Sequence, residues 1–238
     1  MRVFNEPAFV LHSIPYKETS LILDVFTRQF GRVALIAKGA KRPHSALRPV
    51  LLQFQPLQIH FTGRGELMTL TKSEWMGGVV PLIGDALLCG FYMNELIVKF
   101  LAREDAHETL FDDYHHTLFQ LSIEKSSFEK IVRPFEIRLL QEVGYCAPLD
   151  ICQESGGPLD LERYYVYQPE RGLRPAQDQD PAHWPVVQGK YLNNLAQFCL
   201  EDQETLSMSK LLMRFLLSLN LQDQVLTTRQ ILIDLKKI

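Results

Sequence analysis

The sequence predicts an α+β protein in which a small β-barrel precedes a helical region. Within residues 1–75, five short runs rich in β-branched and aromatic residues are separated by polar or Gly-bearing turns. From Asp85 onward the apolar residues recur with the period of a helix. Charge changes in the same region, because residues 1–80 carry ten Lys and Arg against five Asp and Glu, whereas the whole chain has a net charge of −3.

The five predicted strands are short, and a long basic connection separates the third from the fourth. They cover residues 8–14, 20–27, 32–38, 57–61 and 67–71. Five short strands with one longer link outline an OB-fold barrel, a fold that binds oligonucleotides and oligosaccharides. A small SH3-like barrel fits the same pattern. Part of residues 44–54, within the link, could form a short helix.

Helical periodicity predicts a series of helices that one irregular insert interrupts. The helices begin at Asp85 and continue over residues 108–123, 127–143, 188–200, 206–220 and 227–236. Pro134 is expected to kink the 127–143 helix or to mark its start, and Gly144 to end it. Residues 145–187 are rich in Pro and Gly, with one short strand-like run at 163–167.

Composition excludes several classes of protein. The chain has 238 residues, 46% of them hydrophobic, which is enough for a core that needs no metal or disulfide staple. It has no apolar run of the roughly 18 residues that span a membrane, and we recognise no signal peptide, so the expected compartment is the cytoplasm. Phosphate-loop, dinucleotide-binding, hydrolase-elbow and zinc-protease motifs are absent.

One cluster leaves a metal-dependent enzyme open as an alternative. Glu108, Asp112 and His116 are spaced four apart, so on a helix they share one face and could hold a metal ion. An exposed, solvated helix face explains the same spacing. The tyrosines within 163–167 could stack on bases, or could simply pack a strand of the insert.

The most informative feature is a basic segment over residues 25–65, which contains no Asp or Glu and seven Lys and Arg. A positive segment on an acidic protein indicates a polyanionic partner, most commonly a phosphate backbone, although a solvated face that binds nothing has the same composition. In an OB fold the ligand lies against the second and third strands and the 1–2 and 4–5 loops. The basic residues predicted to bind DNA in and beside those elements are Lys17, Arg32, Lys38, Lys41, Arg42, Arg48 and Arg64.

Aromatic side chains of the same region could stack on nucleic-acid bases. Most aromatics in so small a barrel belong to its core, so none is singled out. The candidates are Tyr16, Phe26, Phe30 and Phe61.

Short motifs stand in a definite order along the whole chain. The N-terminal motifs are Ala8–Ser13, Glu18–Leu21, Asp24–Thr27, Gly31–Val33 and Ala37–Ala40. The later motifs are Pro56–Leu57, Gly63–Leu67, Tyr92–Leu96, Phe135–Leu140 and Gly144–Tyr145. Each is weak alone, but together, in this order and spacing, they resemble the RecO family of recombination-mediator proteins.

The resemblance implies an OB-fold DNA-binding domain at 1–78, a helical domain in two parts at 79–148 and 188–238, and a zinc-ribbon-like insert at 149–187. It implies a protein that is not an enzyme. Such a protein binds single- and double-stranded DNA, anneals complementary strands and helps load RecA onto DNA coated by single-strand binding protein.

The implied partners are RecR and the acidic C-terminal tail of the coating protein, and the resemblance makes Arg133, with Arg138 one helical turn on, the candidate contacts for that tail. A protein-interaction scaffold or an RNA-binding module with an SH3-like barrel is the alternative function.

The insert departs from the family in one respect. Many members carry two CxxC pairs there, whereas here Cys152 stands alone, Ser155 occupies the second position, and no cysteine follows until Cys199. The insert is therefore expected to fold without zinc, and no cofactor is implied.

Overall fold

Five strands at the N-terminus close into a barrel, in a computed structural model that describes residues 1–124, 127–221, 225–228 and 230–231. The strands are β1 Arg2–Tyr16, β2 Ser20–Thr27, β3 Gly31–Ala37, β4 Leu57–Thr62 and β5 Leu67–Trp75. Their order around the barrel is β1-β2-β3-β5-β4, with β3 and β5 parallel and the other neighbours antiparallel. This is an OB fold, as predicted, and not an SH3-like barrel.

β1 begins at Arg2, well before the predicted start at residue 8. A bulge between Val3 and Glu6 accommodates Phe4 and Asn5, and Asn5 takes a φ of +54° within it. The buried Glu6 carboxylate accepts a hydrogen bond of 2.6 Å from the backbone N–H of Gln29. The strand therefore continues through a segment whose composition resembles a turn.

The link between β3 and β4 consists of successive turns, so the short helix expected within residues 44–54 is wrong. Backbone N–H groups of Val50 and Leu51 both donate to the Leu47 carbonyl, which closes one turn that is not continued. Pro43 and Pro49 lack the N–H that a continuing helix would need.

Two helices, α1 Gly84–Phe100 and α2 Glu108–Ile123, belong to the same unit of the fold as the barrel. Aromatic rings join α2 to the barrel: Phe9 and Phe26 contact Phe111 and Tyr114 with ring centroids 5.1 to 6.0 Å apart. None of the helices in the described part of the chain combines the length and apolarity that crossing a bilayer requires.

A buried arginine connects β3 to β2 and to the end of α1. The Arg32 guanidinium donates to the Asp24 carboxylate at 2.8 and 3.4 Å and to the carbonyls of Val98 and Leu101 at 2.6 and 2.8 Å. Arg103 donates to the same carboxylate at 3.3 Å. The carbonyls that end a helix carry partial negative charge, so a cation is stabilised there.

The chain returns to this first unit after residue 225. Glu95 on α1 accepts hydrogen bonds from the backbone N–H groups of Thr227 and Thr228 at 2.8 and 2.9 Å, and from the Thr228 hydroxyl at 2.6 Å. Burial of Glu95 opposes its ionisation, but these bonds and the nearby Lys99 outweigh burial and lower its pKa. The helix predicted over 227–236 lies largely outside the described residues.

The second unit spans Glu129–Val225. Its helices are α3 Phe128–Glu142 (which starts one residue earlier), α4 Gly189–Ala196 and α5 Gln203–Asn220. Pro134 lies inside α3. Helices α1 and α2 belong to the unit of the barrel, whereas the sequence analysis assigned them to a separate helical domain. The predicted domain boundaries at 78, 148 and 187 stay predictions.

The insert is more regular than its composition indicates. Its strands are β6 Ile151–Cys152, β7 Gly157–Pro158, β8 Tyr164–Gln168, β9 Gly172–Pro175 and β10 Val186–Gln188. The last three form a sheet in the order β10-β8-β9. Tyr165 and Tyr167 are buried, and their hydroxyls accept hydrogen bonds from the backbone N–H groups of Asp160 and Ala147. These two tyrosines therefore pack the insert and are not available to stack on bases.

The residues of the insert do not fit a zinc ion. Among the residues that the structure describes, no three His, Cys, Asp or Glu side chains are grouped as metal ligands. Burial raises the pKa of the Cys146 thiol to about 12, and its Sγ lies 3.3 Å from the Ala147 carbonyl. The insert is held by hydrogen bonds and apolar packing within its own small sheets.

We expect Arg32→Ala to lower the free energy of unfolding by about 3 kcal/mol or more, because it leaves buried acceptors without their donor. Arg28→Ala is the matched control: Arg28 also pairs with two carboxylates, those of Glu108 and Asp112, but at the surface. Its loss is expected to lower the free energy of unfolding much less than the loss of Arg32, because water screens an exposed ion pair. Urea unfolding measures both, and equal costs would contradict the structural role of Arg32.

We expect dialysis against EDTA to leave the thermal unfolding midpoint unchanged, because the insert offers no metal site. Tyr167→Phe serves as the positive control, because it removes the hydroxyl that accepts the Ala147 N–H. This substitution is expected to lower the free energy of unfolding by about 1 kcal/mol. A midpoint that falls on chelation and is restored by zinc would contradict this account of the insert.

Candidate nucleic-acid interface

Two loops gather four exposed cations at one end of the barrel. Lys17 lies in the β1–β2 turn, and Lys38, Lys41 and Arg42 follow β3. The antiparallel register of β2 and β3 pairs Leu21 with Ala37, which places the start of one strand beside the end of the other. We call Lys17, Lys38, Lys41 and Arg42 the basic end.

A backbone hydrogen bond ties these loops together. The Lys41 N–H donates to the Thr19 carbonyl at 2.9 Å, so the turn after β3 is attached to the turn before β2. Gly39 has a φ of +72°, which lets the chain reverse directly after β3, and the Arg42 N–H closes that turn on the Gly39 carbonyl at 3.1 Å. The four cations are therefore held by the backbone of the fold.

The charges of the basic end are not neutralised by the described part of the protein. No ion pair joins any of its four side chains to a described carboxylate. Glu18 is exposed in the same turn as Lys17, and the Lys17 ammonium lies 5.3 Å from the Tyr16 ring centroid. Arg48, further along the link, is exposed as well. Such a group of cations attracts a polyanion.

Arg32 does not belong with this group, contrary to the sequence prediction. Its side chain is buried, and its donors are used by Asp24 and by two backbone carbonyls at the end of α1. No free face of the guanidinium remains for a phosphate, so we remove Arg32 from the expected contacts.

Arg64 lies at the opposite end of the barrel. The parallel register of β3 and β5 pairs Ala34 with Leu67. Lys38 follows Ala34 along β3, whereas Arg64 precedes Leu67 along the chain. Because the two strands are parallel, the two cations lie on opposite sides of the Ala34–Leu67 pair, towards opposite ends of the barrel. The predicted DNA-binding residues thus form a group at one end and a single residue at the other, and not one continuous track.

Of the aromatics proposed to stack on bases, one lies at the basic end. Phe26 and Phe61 are fully buried, and Phe30 packs edge-on against Phe61 with ring centroids 5.8 Å apart. Tyr16 is partly exposed beside Lys17. Between the ends, the outer face of β2 and β3 presents partly exposed aliphatic residues such as Ile22 and Ile36.

The two arginines predicted to receive an acidic tail differ in accessibility. Arg133 is buried and forms an ion pair with the buried Glu136, one turn along α3. Its Nε has no hydrogen-bond partner among the described residues. Arg138 is partly exposed, with its guanidinium carbon 4.6 Å from the centroid of the Phe198 ring. Arg138 beside Phe198 is therefore the accessible cationic and apolar pair, and Arg133 is a structural residue.

The cluster considered as a metal site serves the fold. Arg28, in the β2–β3 turn, donates to both oxygens of Asp112 at 3.0 Å and to Glu108 at 2.5 Å. Both carboxylates thus join α2 to the barrel, and His116 is exposed on the same helix.

Comparison with known proteins gives the same family over nearly the whole chain. Residues 1–79 match the family model described as "Recombination protein O N terminal", and residues 84–221 match "Recombination protein O C terminal".

Curated relatives match along their length. A DNA repair protein RecO from Polynucleobacter asymbioticus is 67% identical over 241 residues, which cover 100% of this chain and 99% of that protein. Proteins of the same name from Cupriavidus metallidurans and Ralstonia nicotianae are 56% and 54% identical. Those matches cover 99% and 100% of this chain, and 79% and 86% of the two relatives.

Proposed function

Because the chain belongs to the RecO family of DNA repair proteins, we propose that it acts as a recombination mediator. In this role it binds single- and double-stranded DNA and anneals complementary strands. It also helps load RecA onto DNA that is coated by single-strand binding protein. The basic end of the OB barrel is the observation that carries the proposal.

Binding at the basic end is electrostatic. Its lysines supply point charges and Arg42 a planar fork, and both kinds of group bind phosphate oxygens. Contacts to the backbone carry little sequence information, which suits a protein that must act on any damaged locus. Tyr16, partly exposed next to Lys17, offers a ring for an unpaired base.

Annealing by this protein needs no catalytic group. Two strands approach against the repulsion of their phosphates, and unpaired cations on the protein lower that repulsion by displacing counterions. Base pairing between the two strands then supplies the free energy that drives annealing. We therefore propose a mediator that is not an enzyme and hydrolyses no nucleotide.

Electrostatics alone would also allow RNA as the ligand. Single-stranded RNA carries the same backbone charge, so the basic end by itself does not discriminate between RNA and DNA. The family points to DNA. Titrating single-stranded DNA, single-stranded RNA and duplex DNA at several salt concentrations separates these ligands, and a protein that binds none of them would be a scaffold.

Two protein partners belong to the proposal, RecR and the acidic C-terminal tail of single-strand binding protein. For the tail, Arg138 is the favoured contact, because its side chain is partly exposed and the Phe198 ring beside it offers apolar surface. A carboxylate on Arg138 and an apolar side chain on the ring would bind such a tail.

We expect simultaneous reversal of Lys38, Lys41 and Arg42 to Glu to weaken single-stranded DNA binding and to flatten its salt dependence. Losing three phosphate contacts should reduce the slope of log K against log salt by about 2. Fluorescence anisotropy at several salt concentrations measures it.

The matched control for this triple variant is reversal of Arg163, Arg171 and Arg214, three exposed arginines of the second unit. It changes the net charge equally and is expected to leave the slope largely unchanged. A triple variant of the basic end that kept the wild-type slope would contradict the proposed interface.

We expect Arg138→Ala to weaken binding of a fluorescent acidic tail peptide by about tenfold, as loss of a charged hydrogen bond predicts. Arg163→Ala, an exposed arginine of the same unit, should bind the peptide like the wild type. Arg133→Ala is expected to lower stability, because it leaves Glu136 buried without its cation. Wild-type peptide affinity in Arg138→Ala would place the tail elsewhere.

A further inference from the structure

An exposed phenylalanine beside an arginine lies at the end of the barrel opposite the basic end. Phe4, near the start of β1, is 60% exposed. The guanidinium carbon of Arg2 lies 5.9 Å from its ring centroid, and the His60 ring packs edge-on at 5.5 Å. A ring of this size keeps both apolar area and a cation contact at the surface, where a ligand can reach it.

Strand alternation places Phe4 on the outer face of β1, and a bulge that begins at this residue turns Asn5 outward as well. Val3 pairs with Phe61 and Glu6 with Ile59, so two residues of β1, Phe4 and Asn5, stand opposite the single residue His60. Both are exposed, whereas Val3 and Glu6 on either side are buried. Bulges re-aim side chains in this way and are common next to functional sites. The backbone thus presents the Phe4 ring on the outer surface of the barrel.

Arg64 adds a second cation to the same surface. Arg2 pairs with Thr62 in the β1–β4 register, and the Gly63 N–H donates to the Met1 carbonyl at 3.1 Å, so the start of β1 is joined to the β4–β5 loop that carries Arg64. We call Arg2, Phe4, His60 and Arg64 the Phe4 surface.

The charge of the Phe4 surface is positive. Arg2 and Arg64 are exposed, and neither forms an ion pair with a described carboxylate. Lys72, opposite His60 in the register, is already paired with Glu74 at 2.8 Å and adds no net charge. Glu66 is exposed in the same loop as Arg64, which leaves a modest positive excess.

We propose that the Phe4 surface is a second contact site for single-stranded DNA, in which an unpaired base stacks on Phe4 and the adjoining phosphates contact Arg2 and Arg64. An exposed aromatic ring beside cations that form no ion pair with a described carboxylate is the arrangement that single-stranded nucleic acid recognises. A duplex offers no free base face to such a ring, so this site distinguishes single strands from duplex. The inference rests on the proposed function. It adds a second site, at the other end of the barrel, where the protein would contact another segment of the bound single-stranded DNA.

Three single variants of an untagged full-length chain test the stacking contact. Phe4→Ala is expected to lose affinity for an oligo(dT) strand by about fivefold or more and to keep its duplex affinity, and Phe4→Tyr to stay within about twofold of the wild type. Phe119→Ala is the matched control, an exposed phenylalanine on α2, and should bind like the wild type. Circular dichroism and thermal midpoints confirm that the variants fold.

A crosslink locates the contact directly. Single-stranded DNA carrying 5-iododeoxyuridine, irradiated in complex with the wild type, should crosslink to the peptide that contains Phe4. The double variant Arg2→Glu, Arg64→Glu should reduce the salt slope for single strands by about 1.4.

The outcomes separate this inference from the proposed function. If Phe4→Ala binds single strands as tightly as the wild type, or loses single-strand and duplex affinity equally, the Phe4 surface is not a base-stacking site, whatever the variants of the basic end show. If the variants of the basic end bind normally while Phe4→Ala does not, the Phe4 surface stands and the proposed interface at the basic end falls.

Discussion

The parallel pairing of β3 with β5 is the constraint on which both proposed binding surfaces depend. It closes the barrel, and it fixes which loops share an end. Because the two strands run in the same direction, the loop that leaves β3 and the loop that enters β5 lie at opposite ends. Lys38, Lys41 and Arg42 therefore join Lys17, whereas Arg64 joins Arg2 and Phe4. Basic residues that form one segment in the sequence are divided by the topology of the barrel.

Cations of the barrel fall into two physical classes. Arg28 and Arg32 are matched by carboxylates, Glu108 and Asp112 for one and Asp24 for the other, and hold the barrel to its helices. For the buried Arg32, such pairing compensates the cost of taking its charge out of water. The lysines of the basic end remain solvated and unmatched among the described residues. The fold and the proposed DNA binding thus depend on different residues of one basic segment.

Local patterns sufficed to predict most of the fold. Alternation marked β4, β2 and most of β3, and helical spacing placed α2 at the residues observed, 108–123. The first part of β1 was missed, because Asn5 and Glu6 look like a turn unless the bulge and the Glu6–Gln29 hydrogen bond are known. The other strands of the insert were also missed. Gly and Pro normally indicate loops, but here they lie within short strands such as Gly157–Pro158 and Gly172–Pro175.

The candidate site was less predictable, because the role of a basic side chain depends on residues far away in the sequence. Nothing local separates Arg32 from Lys38: the difference lies in carbonyls of Val98 and Leu101, more than sixty residues away. Arg133 was likewise indistinguishable from Arg138 until Glu136 was seen to share its burial. The alternation Arg2-Val3-Phe4 was a usable signal for the Phe4 surface, since it places a base and a ring on one face of a strand.

The return of the chain to α1 makes the second unit an insertion within the first, with a covalent connection at each end. A protein shortened before residue 226 would therefore lose more than a tail. Glu95, whose side chain is only 13% exposed, would keep Lys99 but lose the two amides and the hydroxyl that solvate its carboxylate. Thr227 and Thr228 hold this part of the chain to α1 through Glu95, so a truncation intended to isolate the barrel would disturb the helix whose end accepts hydrogen bonds from Arg32.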